Sequence, residues 1–470
     1  MTTVVLRSSR LRPVNETMWI PVIRRSVIEP LYTFKNGSTR LWYWRELEKT
    51  QYLSEAELRE IQWQRLHKLL HFAWENNQFY RRRLCAARLT PENIQTPADF
   101  MHIPILNKVH IRNNTQAMIS QPFSLATLQK AKTGGSTGKA LQLFYTEECS
   151  ELRNACARRH DRWAGWKPGE PIAACWGNPH LPKTLKEKLK HWLLQPMIYL
   201  DTMSVNEESV RAFVKEWHKV KPTLLFGHAH SVFLLAQYLR TLGIGSLHPK
   251  GILSTSMMLI PSERKAIEQV FGIKVTDRYG CEEVGLIGCE CEKHEGMHLN
   301  IEHLYIEFIK DDGTPASAGE PGRIVVTDLM NYAMPLIRYE VGDIGVPTDR
   351  KCSCGRGLPL MEQVTGRFAD FLIKKDGTRV AGVSLIENTL THFPGIEQMQ
   401  IVQHDFEEFE VLVVAGPDYS KRVEHDLVAY LKATFGKNVR VKISLSTNIL
   451  PEKSGKYRFS ICKINSSWNH

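Results

Sequence analysis

The chain of 470 residues lacks the features of several protein classes. No segment approaches the about 18 consecutive apolar residues of a transmembrane helix, and the N-terminal region lacks the apolar core and cleavage site of a secretory signal. Fixed-period repeats and low-complexity tracts are also missing. These absences favour a folded cytoplasmic enzyme or binding protein. Because the chain exceeds the length at which one hydrophobic core stops growing, two or more domains are expected.

Acidic residues are fewer than basic ones. The chain has 50 Asp and Glu against 61 Lys and Arg, a net charge of +11, which favours anionic ligands such as nucleotides. The excess is spread along the chain, and its densest patches, 80–84 and 181–192, are typical of solvated helix faces. No aromatic-rich RNA-binding signature accompanies these patches, so nucleic acid is not expected as a partner.

Cysteines are few, ten in all, and without a secretory signal disulfides are disfavoured. Four of them form two Cys-x-Cys pairs, at 289–291 and 352–354, and His294 and His298 lie close to the first pair. Thiolate and imidazole ligands together favour a tetrahedral zinc site. The alternative from the residues alone is a set of buried free cysteines, which are common in protein cores.

Local patterns predict an α/β chain. The segment that begins at Ser54 opens with a Ser-x-x-Glu capping box and keeps apolar residues at helical spacing, which predicts an amphipathic helix. Beyond it, short apolar runs such as "PIAACWG", "PTLLFGH" and "KGILSTS" alternate with helical segments, a pattern typical of a layered α/β domain. Near the C-terminus, a turn at "KKDGTR", two strand-like runs and a helical run predict a small α+β domain.

The segment "AKTGGSTGKALQLFYT", residues 131–146, is rich in glycine and in hydroxyl side chains. It is not a Walker A loop, because Thr133 replaces the first glycine and Ala140 replaces the metal-binding hydroxyl. Its glycines still permit close backbone approach, and its hydroxyls and Lys139 could bind phosphate oxygens. By itself the segment is either a phosphate loop of another type or a flexible surface turn.

Four further motifs follow this loop: "RYGCEEVG" (278–285), "IRYEVGDIG" (337–345), "TGRFADFLI" (365–373) and "LPEKSGKYR" (450–458). Together with the loop they resemble the ordered motifs of the adenylate-forming superfamily of acyl-CoA synthetases and adenylation domains. Within it, "HFAWENNQFYRRRL" and "IPILNKVHIRNN" are similar to the N-terminal region of phenylacetate-CoA ligases and of the capsule-cluster proteins related to them. The resemblance covers the chain from about Arg45 to Arg458.

The resemblance implies a fold and an activity. We expect a large multi-layer α/β N-terminal domain, residues 1–366, that binds ATP and the acid, and a small mobile α+β lid domain, residues 367–470. The implied reaction is activation of an aryl, acyl or amino acid by ATP to an acyl-adenylate, with release of pyrophosphate, followed by transfer to CoA. ATP, Mg²⁺ and CoA are the implied cofactors, a small-molecule carboxylic acid is the implied partner, and a homodimer is compatible with the family.

The resemblance also implies roles for individual residues. Lys456 and Glu283 are the catalytic candidates, since Lys456 would reach the carboxylate and the α-phosphate and Glu283 would bind Mg²⁺. Tyr279 would stack near adenine, and Asp343 would accept both ribose hydroxyls. The other nucleotide-binding positions are Thr133, Gly134, Gly135, Ser136, Thr137, Gly138, Lys139, Gly280, Glu282 and Arg367. Glu282 departs from the family, where most relatives carry Thr or Ser, and Ala369 stands at a hinge position that is commonly Asp or Lys.

The cysteine pairs have counterparts in the family too. Cys291, His298, Cys352 and Cys354 align with residues around a structural zinc, which makes Cys289 and His294 near neighbours rather than ligands. Four protein ligands leave no open position for water. The expected zinc would therefore hold two loops together near the active site and would not perform catalysis.

Position within the family predicts the acid pocket. We expect Trp176, Phe226, His228 and Met257 to line an apolar or aromatic acid site, although the same side chains could be core residues at strand ends. The stretch "LSTSMML" departs from the Gly-Ala-Glu pattern of the phenylacetate enzymes, so phenylacetate itself is not the expected acid.

Three classes of function compete at this point. The first is a ligase that transfers the activated acid to CoA, and the second shares the adenylation step but uses an amine, a hydroxyl or a carrier protein as acceptor. The third is a zinc-stabilised nucleotide-binding scaffold without catalysis. The retention of Lys456 together with Glu283 and Asp343 argues against the third class.

Overall fold

A computed structural model describes residues 19–132, 141–177, 179, 182–194, 196–365, 371–393, 395–447, 449 and 458–464. Several predicted functional positions lie outside the described residues: the glycine-rich loop from Thr133 to Lys139, Arg367 with the predicted hinge at 366–370, and Lys456.

The strands, in chain order, are β1 (Gln129–Lys132), β2 (Gln142–Tyr145), β3 (Ile172–Trp176), β4 (Met197–Asp201), β5 (Leu224–His228), β6 (Gly251–Thr255), β7 (Val275–Cys281), β8 (Gly285–Glu290), β9 (Met297–Leu299), β10 (Leu304–Ile309), β11 (Gly322–Asp328), β12 (Tyr339–Thr348), β13 (Leu360–Thr365), β14 (Phe371–Ile373), β15 (Arg379–Ala381), β16 (Ile396–Asp405), β17 (Glu408–Ala415), β18 (Arg440–Leu445) and β19 (Ser460–Cys462).

The α-helices are α1 (Trp19–Ile23), α2 (Glu29–Lys35), α3 (Arg40–Thr50), α4 (Glu55–Asn76), α5 (Gln78–Ala86), α6 (Pro97–Phe100), α7 (Lys108–Asn114), α8 (Glu147–Trp163), α9 (Leu185–Leu194), α10 (Glu207–Val220), α11 (Ala229–Thr241), α12 (Pro261–Phe271), α13 (Gly382–His392) and α14 (Lys421–Phe435). A π-helical turn (Arg24–Ile28) joins α1 to α2, and a 3₁₀ turn (Pro91–Asn93) precedes α6. None of the helices in the described part of the chain is both long enough and apolar enough to cross a membrane.

One large mixed sheet organises the described residues. Its strand order is β10-β11-β12-β13-β9-β8-β7-β6-β5-β3-β4. Strands β4, β3, β5, β6 and β7 run parallel to one another, whereas every neighbouring pair from β7 to β10 is antiparallel. The parallel strands connect through α9 to α12, and α10, α11 and α12 pack on them. This arrangement confirms the predicted α/β fold of the large domain.

The predicted amphipathic helix is α4, and its start confirms the capping box. The Ser54 hydroxyl accepts a hydrogen bond from the Glu57 amide, and the Glu57 carboxylate accepts one from the Ser54 amide. These bonds satisfy amide groups that have no partner within the helix. The apolar positions face the core: Leu58, Leu66, Leu69, Leu70 and Ala73 are all fully buried.

The C-terminal part has the α+β character that the sequence predicts. Strands β18-β17-β16-β19 form a four-stranded sheet, and β14 pairs with β15 in a hairpin around Gly377, whose φ of 83° suits a turn glycine. Asn206 Nδ2 donates a hydrogen bond to Thr378 Oγ1 at 3.2 Å, so this part contacts the large domain. The exact domain boundary at 366 stays a prediction, because it falls on residues that are not described.

Helix α8 is tied to the large sheet through a fully buried arginine. The Arg159 guanidinium donates to both carboxylate oxygens of Glu302 and, at 2.8 Å, to Asn300 Oδ1. It also donates to the Leu47 carbonyl at 3.2 Å, which connects α8 with α3. The Arg159 guanidinium holds the pKa of the buried Glu302 carboxyl below its usual range, so both groups are charged in the interior.

We expect Arg159→Met to lower the free energy of unfolding by about 3–5 kcal/mol, because it leaves the Glu302 charge buried without its partner. Urea unfolding monitored by circular dichroism measures the change. The matched control is Arg211→Met, which removes an exposed pair with Glu207 and should change stability by less than about 1 kcal/mol. Equal midpoints for the two variants would contradict the expectation.

Candidate active site and metal-binding cluster

The carboxyl ends of the parallel strands form one side of the candidate site. After β3 the chain moves outward to β4 and then crosses back to β5 on the other side of β3. Such a reversal of strand order opens a crevice beyond the strand ends, where ligands of open α/β sheets bind. Trp176 is the last residue of β3 and His228 is the last residue of β5, so both lie at this crevice.

Three of the four predicted acid-pocket residues cluster there. The Trp176 and Phe226 rings stack with centroids 5.3 Å apart and an angle of 11° between planes, and the His228 ring lies 4.0 Å from Trp176. His228 is buried, and neither of its ring nitrogens has a hydrogen-bond partner within the described residues. Burial lowers the pKa of His228 to about 4, so the imidazole is neutral at pH 7 and offers one donor and one acceptor.

Two predicted nucleotide-binding residues meet at an adjoining cavity of about 220 Å³. Tyr279 Oη donates a hydrogen bond to Asp343 Oδ2 at 2.9 Å, although 64 residues separate them in sequence. Gly280 and Met257 also line this cavity, so Met257 lies on the Tyr279 side rather than in the aromatic cluster. Arg278 joins the two regions, since it lines the cavity and its guanidinium lies 5.1 Å from the Phe226 ring centroid.

The predicted magnesium ligand, Glu283, is buried and already contacts two groups. Its Oε1 atom accepts a hydrogen bond from Tyr339 Oη at 2.7 Å and lies 3.5 Å from Lys108 Nζ. The neighbouring Glu282 side chain is exposed. Arg153 donates to the backbone carbonyls of both residues, at 3.2 Å for Glu282 and 2.8 Å for Glu283, and so fixes the loop that carries them.

The sequence analysis did not single out Lys108, Tyr339 or Arg153. The sequence contained a signal that could have identified two of them as site residues. Lys108 belongs to the stretch "IPILNKVHIRNN", and Tyr339 belongs to the same motif as Asp343. Arg153 had none, because it is one of several arginines on a charged helix and only the fold brings it to the loop. Whether the nucleotide and acid positions act as predicted stays open to the experiments below.

The predicted metal ligands converge as one group. The ligand atoms of Cys291, His298, Cys352 and Cys354 all lie within 4.8 Å of one another. Cys291 Sγ is 3.5 Å from Cys352 Sγ, and Cys354 Sγ is 3.3 Å from His298 Nε2. Three sulfurs and one imidazole nitrogen at this spacing could hold a metal ion, as the alignment with the family implies.

Groups around the cluster orient its ligands. The Leu358 carbonyl lies 3.2 Å from His298 Nδ1, which fixes the proton there and leaves the Nε2 lone pair for a metal. The Lys293 and Arg356 amides each donate to a cysteine sulfur at 3.4 Å. His294 lies against Glu290 and Cys289 pairs in register with His298, and neither belongs to the converging group found among the described residues.

A partly buried carboxylate on the cavity wall has an unusual charge environment. Asp277 Oδ1 accepts a hydrogen bond from Ser254 Oγ at 2.7 Å, and the Asp277 amide donates to Glu290. Arg264 balances Glu290 through contacts of 2.9 and 3.0 Å to its two oxygens. Burial and the Glu290 charge raise the pKa of Asp277 to about 7, so at neutral pH this group is partly protonated.

Comparisons with known proteins agree with the fold and the motifs. Residues 372–463 match the family model described as the CapK C-terminal domain. The chain is 27% identical to the phenylacetate-coenzyme A ligase of Thermus thermophilus over 349 residues, which is 71% of this chain and 75% of that protein. It is 24% identical to Protein CapK of Staphylococcus aureus over 434 residues, which is 90% of this chain and 92% of that protein.

A solved structure shares the architecture. The 2-hydroxyisobutyryl-CoA ligase in complex with 2-HIB-AMP and CoA, in the thioesterification state, superposes with a TM-score of 0.59 at 18% identity. The match covers 88% of this chain and 91% of that one. The similarity extends over both parts of the chain, which confirms the predicted combination of a large α/β part with a small C-terminal one.

We expect the contribution of Asp277 to the free energy of unfolding to decrease as pH rises from about 4 to 7. The folded chain keeps a proton on Asp277 up to a pKa of about 7, whereas an unfolded aspartate releases it near pH 3.9. Protonation therefore stabilises the fold fully below the unfolded pKa, and this contribution is lost as pH rises through the folded one. The buried His228 acts in the opposite direction, because its pKa is lowered to about 4 in the folded chain, so the Asp277 contribution is measured as a difference in urea midpoint between variants.

Asp277→Asn isolates the contribution of this group, because it removes the titration while keeping a similar shape. The difference between its urea midpoint and that of the unsubstituted protein should rise as pH increases from about 4 to 7, because only the unsubstituted protein loses the Asp277 contribution. The matched control, Asp311→Asn at an exposed position, should keep the original slope. The assignment to Asp277 is wrong if Asp277→Asn and Asp311→Asn have the same slope.

Proposed function

Because the chain belongs to the phenylacetate-CoA ligase-like family of adenylate-forming enzymes, we propose that it is a ligase that activates a carboxylic acid with ATP. In this proposal the acid becomes an acyl-adenylate, pyrophosphate leaves, and the acyl group passes to CoA. The observation that carries the proposal is the Tyr279–Asp343 contact in a cavity that adjoins the Trp176, Phe226 and His228 cluster. A nucleotide and an acid bound on these two sides would place their reacting atoms next to each other.

The residues on the Tyr279–Asp343 side of the site suit a ribose and a charged phosphate chain. Asp343 would accept the two ribose hydroxyls, and its bond from Tyr279 holds the carboxylate in place. Arg367 and the loop from Thr133 to Lys139 would complete the nucleotide contacts. Mg²⁺, when bound, would neutralise phosphate charge, and the Glu283 carboxylate is a suitable oxygen ligand for it. Tyr339 and Lys108 would orient that carboxylate.

The acid side favours a substrate with an apolar or aromatic body. The stacked Trp176 and Phe226 rings offer flat apolar surface, and such surfaces suit an aryl or long acyl group. The buried His228 imidazole would supply the polar contact, because it is neutral and its nitrogens have no hydrogen-bond partner in the described structure. An acid that also carries a hydrogen-bonding group would satisfy this histidine and bind more tightly.

Lys456 would provide positive charge where the new bond forms. A carboxylate oxygen of the acid attacks the α-phosphorus while the bond to pyrophosphate breaks, and negative charge develops on the phosphate oxygens. Residues 367–470 would carry this lysine as a lid domain that moves between the two half-reactions. The family-model match at residues 372–463 supports a separate C-terminal unit.

The acceptor has a second candidate. Relatives named as CoA ligases support CoA, whereas the similarity to Protein CapK extends over 90% of this chain, against 71% for the Thermus thermophilus ligase. The resemblance of the sequence to capsule-cluster proteins keeps an amine, a hydroxyl or a carrier protein as the alternative. The two versions of the proposal share the adenylation step. They differ only in the acceptor that takes the acyl group from the acyl-adenylate and so releases AMP.

We also propose that Zn²⁺ occupies the Cys291, His298, Cys352 and Cys354 cluster. Three thiolates and one imidazole are the ligands that zinc prefers, and the oriented His298 and the amide-to-sulfur bonds match a structural site. The ion would join the end of β8 to the loop before β13. All four positions would be filled by protein, so no step of the reaction would use it.

We expect the purified protein to catalyse ATP–pyrophosphate exchange that depends on a carboxylic acid, because exchange reports reversible adenylation. A hydroxylamine-trapping screen of aryl, acyl and amino acids identifies the acid, and AMP release with CoA or candidate amines then identifies the acceptor. Lys456→Ala should lower exchange by roughly 100- to 1,000-fold while nucleotide binding persists, since it removes charge stabilisation of the transition state.

The matched control is Lys437→Ala, an exposed lysine of the same C-terminal part, and it should leave exchange unchanged. No exchange with any acid in the screen would contradict the ligase and favour a nucleotide-binding scaffold. Equal exchange rates for Lys456→Ala and the unsubstituted protein would instead refute only the role of Lys456.

We expect about one zinc ion per chain by elemental analysis of protein purified without added metal. Cys352→Ala should lose the metal and unfold at lower urea concentration, because binding of zinc to the folded state contributes to its stability. Cys289→Ala is the matched control, since this buried cysteine lies beside the cluster but outside it, and it should keep the metal. Metal-free protein with unchanged stability would contradict the assignment.

A further inference from the structure

The first described segment of the chain presents apolar side chains to solvent. Along α1, the π turn and α2, a stripe recurs every three or four residues with side chains between 48% and 89% exposed: Trp19, Ile23, Val27, Leu31 and Phe34. Helix α9 has a second stripe, made of Leu185, Leu189 and Trp192, which are 85%, 57% and 50% exposed. We call these eight side chains the apolar patch.

Helix geometry keeps the first stripe on one side. In an α-helix with about 3.6 residues per turn, a four-residue repeat drifts steadily around the axis. The π turn at Arg24–Ile28 is wider and takes more residues per turn, so it compensates for the drift between Ile23 and Val27. The stripe therefore runs along one face of the whole helical segment.

Polar contacts hold the opposite face of this segment against the protein. The buried Arg24 guanidinium donates to the Gly169 carbonyl at 3.2 Å, and Glu29 forms an ion pair with Arg158 of α8. Gly169 allows the close approach, because a Cβ atom there would lie 2.4 Å from the Pro21 carbonyl oxygen. The amphipathic segment is thus anchored by its polar side and exposes its apolar side, the reverse of the usual orientation for a surface helix.

The helices that carry the two stripes are neighbours in space. The Arg24 guanidinium lies 5.3 Å from the Trp192 ring centroid, and the Lys190 ammonium lies 5.4 Å from the Tyr32 ring centroid. Helix α9 also packs against the π turn. Exposed apolar surface of this extent marks a site where a partner or a membrane binds.

Positive charge accompanies the apolar patch. The exposed cations of the same two segments are Arg25, Lys35, Lys183, Lys186, Lys188 and Lys190. Their two carboxylates are engaged elsewhere, Glu29 with Arg158 and Glu187 with the backbone amides of Lys183 and Thr184. These segments therefore carry six exposed cations against two carboxylates, a net positive charge.

We propose that this surface docks the protein onto a bilayer that contains anionic lipid. The apolar side chains would enter the boundary between headgroups and acyl chains, and the lysines and arginines would contact lipid phosphates. A second copy of the chain fits less well, because a symmetric contact would place like charges against each other. The patch shares no residue with the Tyr279 cavity or the aromatic cluster, so this inference does not depend on the proposed ligase activity.

Flotation with vesicles tests the inference on the full-length protein. Vesicles of phosphatidylcholine and phosphatidylglycerol at a ratio of about 3:1 should bind the protein more tightly than phosphatidylcholine alone, and added salt should weaken the binding. Replacing Lys183, Lys186 and Lys188 by Gln should weaken binding by roughly fivefold per removed charge. Leu185→Ser with Leu189→Ser should weaken it at least as strongly, because insertion depends on apolar area.

Matched controls use exposed residues far along the chain. Leu445→Ser and Lys437→Gln should bind vesicles like the unsubstituted protein, and every variant should keep the original urea midpoint, since all replaced side chains are exposed. Equal binding to neutral and anionic vesicles, or no binding to either, overturns the inference. So does a dimer, detected by light scattering, that Leu189→Ser dissociates, because it would show that a second copy covers the patch.

Discussion

Parallel strands of one sheet end at a common edge, and the candidate site depends on this constraint. Trp176, Phe226 and His228 come from β3 and β5, and Tyr279 comes from β7, at the carboxyl ends of strands that are neighbours or near neighbours. At β7 the sheet changes from parallel to antiparallel pairing. The antiparallel half of the sheet contains β12, and its Asp343 contacts Tyr279. No local feature of the sequence could bring these residues together without that topology.

Along this edge the apolar and polar parts of the site are separated. The aromatic cluster with the neutral His228 lies on one side, and the Tyr279–Asp343 pair with the partly buried Asp277 and Glu290 lies on the other. Arg278 lies between the two regions, where it contacts the Phe226 face and forms an ion pair with Asp161. A reaction that joins an apolar acid to a charged nucleotide requires such an arrangement, with both environments within reach of each other.

Helix α8 stabilises the surroundings of the site through buried arginines. Arg153 fixes the loop of Glu282 and Glu283, and Arg159 binds Glu302 beneath the sheet. Close to the metal-binding cluster, Trp163 of the same helix contacts His298, and its indole donates to Gln51, which also accepts from Arg356. One helix therefore supports both the catalytic candidates and the cluster, so distortion of α8 should affect both.

The sequence by itself determined the elements and the kinds of residue. The capping box at Ser54 and the alternation of apolar runs with helical segments predicted α4, the α/β class and the small C-terminal part, because these signals are local and follow from backbone geometry. Ordered motifs indicated Tyr279, Glu283 and Asp343, and the two Cys-x-Cys pairs with their counterparts in the family indicated the four metal-ligand positions. Only the tertiary structure decided which residues meet: that Met257 lines the Tyr279 cavity, that Lys108 and Tyr339 contact Glu283, and that the helical segment from Trp19 exposes its apolar face. These facts depend on contacts between segments far apart in the chain, which no local pattern encodes.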